Sequence, residues 1–337
     1  MYDGGYIEGT ELFRVFGRPV TLFSALVCVS AVLSCALMAY CFHKRKVHGE
    51  TGQWFCLFSL VLGTFFGHFV YALTRIMHFW DRGPAAFLDP SYGGFLFFGV
   101  FLGIFLAACL AKAVSRGKMT WQRLLSAALP AVFLFVALVR FSEPADKQGW
   151  GEWVSVNDMP VQSFFPLAFV KDPEWATPDW TEWYYSIFML EGLWALGLCV
   201  YFMLPRSYQK GDVHRLVLAM ILYCAAQVAF EPMRRDITVR WLFVRASQVF
   251  SAVTLAVLLI VYMVKRRRFT PMFLVFLVFT GGCIALEFAV DKPLILGDRR
   301  IFFPNALVYV LEAVCAGMMG FATYKGTIGY KEHTITK

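Results

Sequence analysis

Long runs of apolar residues, separated by short polar segments, dominate the sequence. Nine such runs occur, most of them close to the ~20 residues with which a helix crosses a bilayer; they cover residues 20–42, 54–79, 93–115, 121–141, 184–204, 216–230, 241–264, 269–289 and 301–324. The pattern therefore predicts nine transmembrane helices and an all-α polytopic membrane protein. Composition supports this, because 59% of the residues are hydrophobic and 16% are charged, against roughly 25% charged in soluble domains.

Positive charges mark one side of the predicted helices. The segments after spans one, three, five, seven and nine hold most of the basic residues: Lys44, Arg45, Lys46, Lys112, Arg116, Lys118, Arg123, Arg206, Lys210, Arg215, Lys265, Arg266, Arg267, Arg268, Lys325, Lys331 and Lys337. Because Lys and Arg accumulate in cytoplasmic loops, we expect the N-terminus outside and the C-terminus in the cytoplasm. The net charge of +8 then reflects membrane topology, and we expect no nucleic-acid partner.

The connections between the spans limit where chemistry can take place. The predicted cytoplasmic loops are short and basic, so we expect any reaction to occur in or on the membrane. The external segment 142–183 is longer, acidic and rich in tryptophan; it is either a loop resting on the membrane or a functional region. All nine cysteines lie in or at the ends of spans, a placement that predicts neither a disulfide framework nor a metal site. We expect no cofactor.

Polar side chains within the spans cluster at one depth. A charged residue at the centre of a membrane helix costs about 2.5 to 3.5 kcal/mol, so each needs a reason. In spans three to seven they fall in the outer half: Tyr92, Arg140, Glu191, Glu231, Arg234, Arg235, Arg245 and Gln248. A single arginine at a helix end can extend to the headgroups without further function. Several arginines with carboxylates to orient them suit a lipid phosphate, which the guanidinium fork binds with two hydrogen bonds.

The end of span six adds a local prediction. Pro232 lies in the stretch Phe230–Asp236, and proline has no N–H to continue a helix. We expect it to end or kink the helix and to free Arg234 and Arg235 to turn inward.

Two glutamates in the last spans are less informative about function. Glu312, midway along span nine, is either a protonated residue bonded to a neighbouring helix or part of a proton relay. Glu287 lies near the outer end of span eight.

The order of motifs resembles that of one family. Five features follow one another along the chain: Gly93-Gly94 at the start of span three, Arg140 at the end of span four, Leu190-Glu191-Gly192 in span five, Glu231-x-x-Arg234 at the end of span six, and Ser247-Gln248-Val249-Phe250-Ser251 in span seven. In this order, spacing and depth the chain resembles bacterial prolipoprotein diacylglyceryl transferase. The family's seven-span core then matches residues 1–268, with 142–183 as an external head region. We expect residues 269–337 to form two additional transmembrane helices and a cytoplasmic tail.

The resemblance implies a reaction, its partners and a site. Family members move the diacylglyceryl group of phosphatidylglycerol to the thiol of a lipobox cysteine in a preprolipoprotein signal peptide, in the bacterial cytoplasmic membrane. On that basis we predict catalytic roles for Arg140, Arg234 and Tyr92, with both arginines on the phosphate and Glu231 orienting Arg234. Substrate-binding roles are predicted for Gly93, Gly94, Glu191, Glu231, Arg235, Arg245 and Gln248.

Several polar positions depart from the family pattern. Tyr92 stands where the family has the histidine of His-Gly-Gly, and Glu143 stands where its Arg-x-Gly-Asn-Phe motif has asparagine. A phenol is a poorer base than imidazole at neutral pH, so Glu143, Asp146, Glu152, hydroxide or a different substrate remain alternatives for removal of the thiol proton. A second reading also stays open: a catalytically inactive relative that binds anionic phospholipid or signal peptides.

Overall fold

The protein is built almost wholly from long helices. The computed structural model describes residues 11–15, 18–76, 83, 87, 94–146, 148–154, 168–170, 183–235, 240–241, 244–291, 294–296, 299–301 and 305–329. The long helices are α1 (Leu22–Lys44), α2 (Gly49–Thr74), α3 (Phe97–Val114), α4 (Trp121–Ser142), α5 (Ile187–Met203), α6 (Asp212–Phe230), α7 (Ala246–Arg266), α8 (Met272–Asp291) and α9 (Asn305–Gly326). A single helical turn, Pro205–Tyr208, lies between α5 and α6.

Each long helix coincides with one predicted apolar run. Within the described residues, eight of them are long and apolar enough to cross a membrane. The ninth, α5, is apolar but has 17 residues, the lower end of the length that spans a bilayer. The prediction of an all-α polytopic membrane protein is therefore confirmed.

Short antiparallel strands fill several of the connections. They are β1 (Glu11–Val15), β2 (Arg18–Thr21), β3 (Trp153–Val154), β4 (Ala168–Val170), β5 (Trp183–Tyr185), β6 (Arg240–Trp241), β7 (Val244–Arg245), β8 (Leu294–Leu296) and β9 (Arg299–Ile301). β1 pairs with β2, β6 with β7 and β8 with β9, while β5 lies between β3 and β4. The predicted external loop is thus structured in part, beginning with the 3-10 helix Glu143–Asp146.

Local sequence explains where helices begin and end. At the start of α1 the backbone N–H of Ser24 donates to Thr21 Oγ1 (3.2 Å), which satisfies one of the unpaired N–H groups of the first turn. The C-terminal end of α6 also follows from its sequence. This helix stops at Phe230 and is followed by the 3-10 turn Glu231–Met233. The prediction that Pro232 ends this helix is confirmed.

The chain divides into two compact units. The first comprises residues 1–60, 110–207 and 233–237, and the second comprises residues 61–109, 208–232 and 238–337. In the first unit α4 packs against both α1 and α5. In the second unit α9 packs against α6, α7 and α8. The sequence-based division into residues 1–268 and 269–337 stays a prediction.

Contacts between loops group the helix ends within each unit. In the first unit Arg45 Nη1 donates to Ser126 Oγ (3.0 Å), and Lys118 Nζ lies 3.3 Å from Glu50 Oε2. In the second unit Arg266 donates to the carbonyl oxygens of Gly326 (3.1 Å) and Thr327 (2.6 Å). These contacts join segments predicted to share the cytoplasmic side. The orientation itself stays a prediction.

Candidate functional site

Four charged side chains of the first unit are buried together. Arg140 lies in the last turn of α4, Glu143 begins the 3-10 helix after it, and Glu191 is the fifth residue of α5. Arg234 follows the turn that Pro232 imposes after α6. Each of the four is at most 5% exposed. We call these residues the four-charge cluster.

Each carboxylate of the cluster contacts both arginines. Arg140 Nη1 donates to Glu143 Oε1 (2.5 Å), and Arg140 Nε lies 3.3 Å from Glu191 Oε2. Arg234 Nη1 donates to the same Glu191 oxygen (2.7 Å) and to Glu143 Oε1 (3.4 Å). Arg234 Nη2 lies 3.2 Å from Glu143 Oε2. The ion pairs therefore form a closed ring of alternating charge.

The charges of the cluster balance. Two guanidinium groups face two carboxylates at ion-pair distance, so the formal charge of the ring is zero. Burying charge is costly, and the attraction between opposite charges repays this cost only when the geometry is good and every partner is present. The arginines are thereby fixed in position and orientation, whereas arginines extending to the headgroups would point into solvent.

Glycine lets the two helices of the cluster approach each other. A Cβ atom on Gly192 would lie 2.6 Å from Cδ1 of the Phe141 ring, which is closer than carbon atoms pack. Phe141 follows Arg140, and Gly192 follows Glu191. The missing side chain in the Leu190-Glu191-Gly192 motif thus permits the contact between α4 and α5 that brings Arg140 to Glu191.

A second glycine fits the chain around Glu143. Gly149 has φ +78°, a backbone conformation that favours glycine. A Cβ atom at this position would overlap Glu143 Oε2 and lie 2.6 Å from Phe188 Cβ. The carbonyl oxygen of Gly149 accepts a hydrogen bond from the Phe188 N–H (2.8 Å). The segment after α4 therefore folds back over Glu143 and is tied to the start of α5.

Arg235 is held at the edge of the same unit. Its backbone N–H donates to the carbonyl oxygen of Trp150 (2.9 Å), and its Nη2 lies 3.3 Å from Glu152 Oε1. Both side chains of this ion pair are more than a quarter exposed. The two adjacent arginines therefore differ, because Arg234 lies inside the cluster and Arg235 forms a solvent-accessible pair.

The remaining predicted site residues that the structure describes belong to the second unit. They are Gly94, Glu231, Arg245 and Gln248; Tyr92 and Gly93 lie outside the described residues. Glu231, Arg245 and Gln248 are buried. Arg245 immediately precedes α7. Within the described part of the chain, Glu231 Oε2 has no hydrogen-bond partner. Glu143 and Glu191 both contact Arg234, and the predicted role of Glu231 in orienting Arg234 stays a prediction.

The last three helices each carry a buried polar residue. Gln248 of α7 donates through Nε2 to Glu287 Oε2 of α8 (2.8 Å). Glu312 of α9 is 1% exposed and lies close enough to Glu287 to interact electrostatically. Among the described residues, neither Glu312 oxygen has a hydrogen-bond partner. We call Gln248, Glu287 and Glu312 the carboxyl cluster.

A comparison with known families decides the assignment. The family model described as prolipoprotein diacylglyceryl transferase matches residues 10–264. The chain belongs to the prolipoprotein diacylglyceryl transferase family. It is also similar to a protein of Paenarthrobacter aurescens (strain TC1) described as phosphatidylglycerol–prolipoprotein diacylglyceryl transferase; the two are 25% identical over 278 residues, which cover 79% of this chain and 85% of the relative.

Membership of the diacylglyceryl transferase family defines the general role. The chain is an enzyme, a multi-pass transferase of lipoprotein biosynthesis in the bacterial inner membrane. The four-charge cluster lies within the matched residues 10–264, whereas α8 and α9 follow them. Two members of the carboxyl cluster, Glu287 and Glu312, thus come from outside the part that matches the diacylglyceryl transferase family.

Sequence reasoning missed the partners of the arginines. It paired Arg234 with Glu231 and considered Glu143 only as a base. The spacing of Arg140 and Glu143 is also i, i+3, the spacing at which helical side chains meet, so the signal was present. The pairing of Gln248 with Glu287 had no comparable signal, because the two residues belong to different helices.

Proposed function

We propose that the chain transfers the diacylglyceryl group of phosphatidylglycerol to the thiol of a lipobox cysteine in a preprolipoprotein. In this reaction the sulfur attacks the diacylglycerol carbon that bears the phosphate. A C–S bond forms, the C–O bond to phosphate breaks, and glycerol phosphate leaves. The thiol gives up its proton to a base. The enzyme must therefore stabilise charge on the leaving phosphate and allow the thiol to ionise.

The observation that carries the proposal is the pair of arginines in the four-charge cluster. Guanidinium groups bind phosphate oxygens through paired hydrogen bonds, and donors that are already oriented stabilise developing charge most effectively. Glu143 and Glu191 hold Arg140 and Arg234 by contacts of 2.5 to 3.4 Å. We propose that the arginines act on the phosphate, and that the two glutamates are positioning residues.

The neutral charge of the ring bears on how the phosphate binds. An isolated pair of buried arginines would repel each other, whereas the two carboxylates allow both to stay charged in a buried place. We propose that an incoming phosphate shares the guanidinium edges with the carboxylates and does not displace them, because a displaced buried carboxylate would lose its counter-charge. The arginines are already ordered, so binding does not have to order two free side chains.

The segment after α4 holds the three carboxylates that the sequence nominates for removal of the thiol proton. Of the three carboxylates nominated there, Glu143 already contacts both arginines. Asp146 accepts a hydrogen bond from Gln148 Nε2 (3.1 Å), and Glu152 pairs with the partly exposed Arg235. Asp146 and Glu152 therefore remain the candidates among these three, and hydroxide remains the alternative for a thiol of pKa ~8.5.

The test is transfer by the purified enzyme in detergent, with phosphatidylglycerol and a lipobox peptide. Mass spectrometry detects the diacylglyceryl-peptide, and released glycerol phosphate is assayed in parallel. We expect product from the unaltered chain. Arg140→Lys and Arg234→Lys retain the positive charge that the carboxylates need but lose the guanidinium fork, and we expect kcat/KM to fall at least ~100-fold, on the scale of one lost stabilising donor.

Arg123→Gln is the matched control, because Arg123 donates to the carbonyl oxygen of Arg45 (3.1 Å) at an exposed position. We expect its activity to stay within about twofold. Near-normal turnover of both lysine variants would overturn the role of the arginines. Absence of product from the folded, unaltered chain, beside a working family enzyme, would overturn the proposed substrates and favour lipid or signal-peptide binding without transfer.

A further inference from the structure

Asp146 lies at the end of the 3-10 helix that Glu143 begins. Side chains three residues apart in a 3-10 helix lie above one another, so Asp146 stands about 6 Å from Glu143 along the helix axis. Both residues belong to the first unit, as does the whole four-charge cluster. Asp146 is partly exposed, whereas Glu143 is buried. A substrate group that approaches the four-charge cluster from outside can therefore reach the Asp146 carboxylate.

Gln148 fixes the orientation of the Asp146 carboxylate. Its backbone N–H donates to the carbonyl oxygen of Glu143 (3.1 Å), and its Nε2 donates to Asp146 Oδ2 (3.1 Å). The residue that holds Asp146 is thus anchored to the turn that also supplies a member of the four-charge cluster. Asp146 Oδ1, in contrast, accepts no hydrogen bond from any residue that the structure describes.

The three carboxylates of this segment differ in their partners. Glu143 contacts two arginines of the four-charge cluster, and Glu152 forms an ion pair with Arg235. Asp146 forms no ion pair within the described part of the chain, and its hydrogen bond comes from the neutral amide of Gln148. A carboxylate that guanidinium groups already occupy must give up a charge-assisted hydrogen bond to accept a proton. Asp146 can accept one on its free oxygen.

We propose that Asp146 is the base that takes the proton of the lipobox thiol, and that Gln148 is a positioning residue that turns Asp146 Oδ1 toward the sulfur. The inference rests on the proposed function. The proton of the S–H bond passes to Asp146 Oδ1, and its electron pair forms the C–S bond. The electron pair of the C–O bond leaves with the phosphate that Arg140 and Arg234 stabilise. One helical turn between Asp146 and Glu143 leaves room for the sulfur and the reacting carbon.

The test replaces the sulfur of the lipobox peptide by selenium. At neutral pH a thiol of pKa ~8.5 is mostly protonated, whereas a selenol is already ionised and needs no base. Asp146→Asn keeps an oxygen that accepts from Gln148 Nε2 but cannot take up the proton. With the thiol peptide we expect its kcat/KM to fall at least ~100-fold, the lower end of general-base contributions. With the selenol peptide we expect it to stay within about fivefold of the unaltered chain, because the base is no longer required.

Two further variants separate positioning from phosphate stabilisation. Gln148→Leu keeps the Asp146 carboxylate but removes the donor that orients it, and we expect a loss of about tenfold with the thiol peptide only, the scale of one hydrogen bond. Arg140→Lys should lose activity with both peptides, because the leaving phosphate is the same. Glu50→Gln is the matched control, since it replaces a half-exposed carboxylate elsewhere in the first unit. We expect its activity to stay within about twofold with both peptides.

The outcomes distinguish the base from the reaction as a whole. Normal activity of Asp146→Asn on the thiol peptide would overturn the inference. Equal losses with both peptides would also overturn it, because they would mean that Asp146 has a structural role. A thiol-selective loss in Glu152→Gln, without one in Asp146→Asn, would assign the base to Glu152 instead. Absence of product from the unaltered chain with either peptide would overturn the proposed transfer, and the inference with it.

Discussion

The four-charge cluster of the first unit and the carboxyl cluster of the second unit bury polar groups in different ways. In the first, every carboxylate contacts two arginines. In the second, an uncharged amide donates to Glu287, and Glu312 has no hydrogen-bond partner among the described residues. The comparison teaches that burial alone does not define a charged site. Identical side chains have opposite energetic consequences when their partners differ.

The largest expected effect comes from removing one carboxylate of the balanced cluster. Glu191→Leu removes one of the two buried cluster carboxylates that contact Arg140 and Arg234. Breaking a buried pair in this way costs about 3–5 kcal/mol, because the remaining charge is uncompensated. We expect the free energy of unfolding in detergent to fall by that amount, measured by chemical denaturation.

The control for this measurement is Glu50→Leu. Glu50 forms an exposed ion pair with Lys118 at 3.3 Å, and both side chains are about half exposed. Exposed pairs contribute roughly 0–1 kcal/mol, so we expect a change within about 1 kcal/mol. Equal losses in the two variants would mean that the four-charge cluster contributes no more than a surface pair.

The next effect concerns the helix contact that assembles the cluster. Gly192→Ala places a methyl group against the Phe141 ring, at 2.6 Å from Cδ1. Overpacking of this kind costs about 1–3 kcal/mol, and we expect transferase activity to fall with it as Arg140 moves relative to Glu191. Thermal unfolding and the transfer assay measure the two effects.

Gly197→Ala in the same helix is the matched control. A Cβ atom at Gly197 meets nothing within 4 Å, and alanine is favoured over glycine within a helix by up to ~1 kcal/mol. We expect unchanged or slightly higher stability and normal activity. A loss at Gly197 as large as that at Gly192 would point to helix α5 in general, and would contradict a specific role for the contact with Phe141.

The helices could be predicted from the sequence better than the contacts of the site. Within the described residues, each of the nine apolar runs coincides with a long helix, since the length of a membrane span follows directly from bilayer thickness. Arg140, Glu191 and Arg234 were named because charge within a span needs a reason. The i, i+3 spacing indicates the pairing of Arg140 with Glu143. The rest of the ring was beyond prediction, because it depends on how closely α4 and α5 pack and on where the turn after Pro232 carries Arg234.

The same reasoning explains why the second unit was less predictable. The sequence shows Glu287 and Glu312 within apolar spans, but it gives no partner residue three or four positions away from either of them. The partner of Glu287 is Gln248, on a different helix, and the tertiary arrangement that joins them is set by apolar packing of α7, α8 and α9. Sequence periodicity indicates which face of each helix is buried, but it does not indicate which other helix that face packs against.

The third prediction compares the effect of replacing Glu312, in the carboxyl cluster, with the effect of replacing Glu191 on the free energy of unfolding. Glu312→Leu replaces a buried carboxyl group that lacks a hydrogen-bond partner within the described residues. Replacing an unsatisfied polar group by an apolar one of similar size is neutral or stabilising, so we expect unfolding to become more costly by about 1 kcal/mol. Denaturation under the conditions used for Glu191→Leu checks the sign. Destabilisation of several kcal/mol would show that Glu312 has a partner as important as those of Glu191.

The smallest expected effect is that of replacing Arg235, which is partly exposed although it is the direct neighbour of the buried Arg234. Arg235 follows Arg234 directly, but its ion pair with Glu152 is more than a quarter exposed. Arg235→Gln keeps the backbone N–H that binds Trp150 and removes a pair worth at most about 1 kcal/mol. We therefore expect little change in the free energy of unfolding, and any weakening of phosphatidylglycerol binding to diminish at high salt, because exposed charges are screened. A salt-independent loss as large as that of Arg234→Lys would place Arg235 functionally inside the site, and burial would then no longer explain why two adjacent arginines differ.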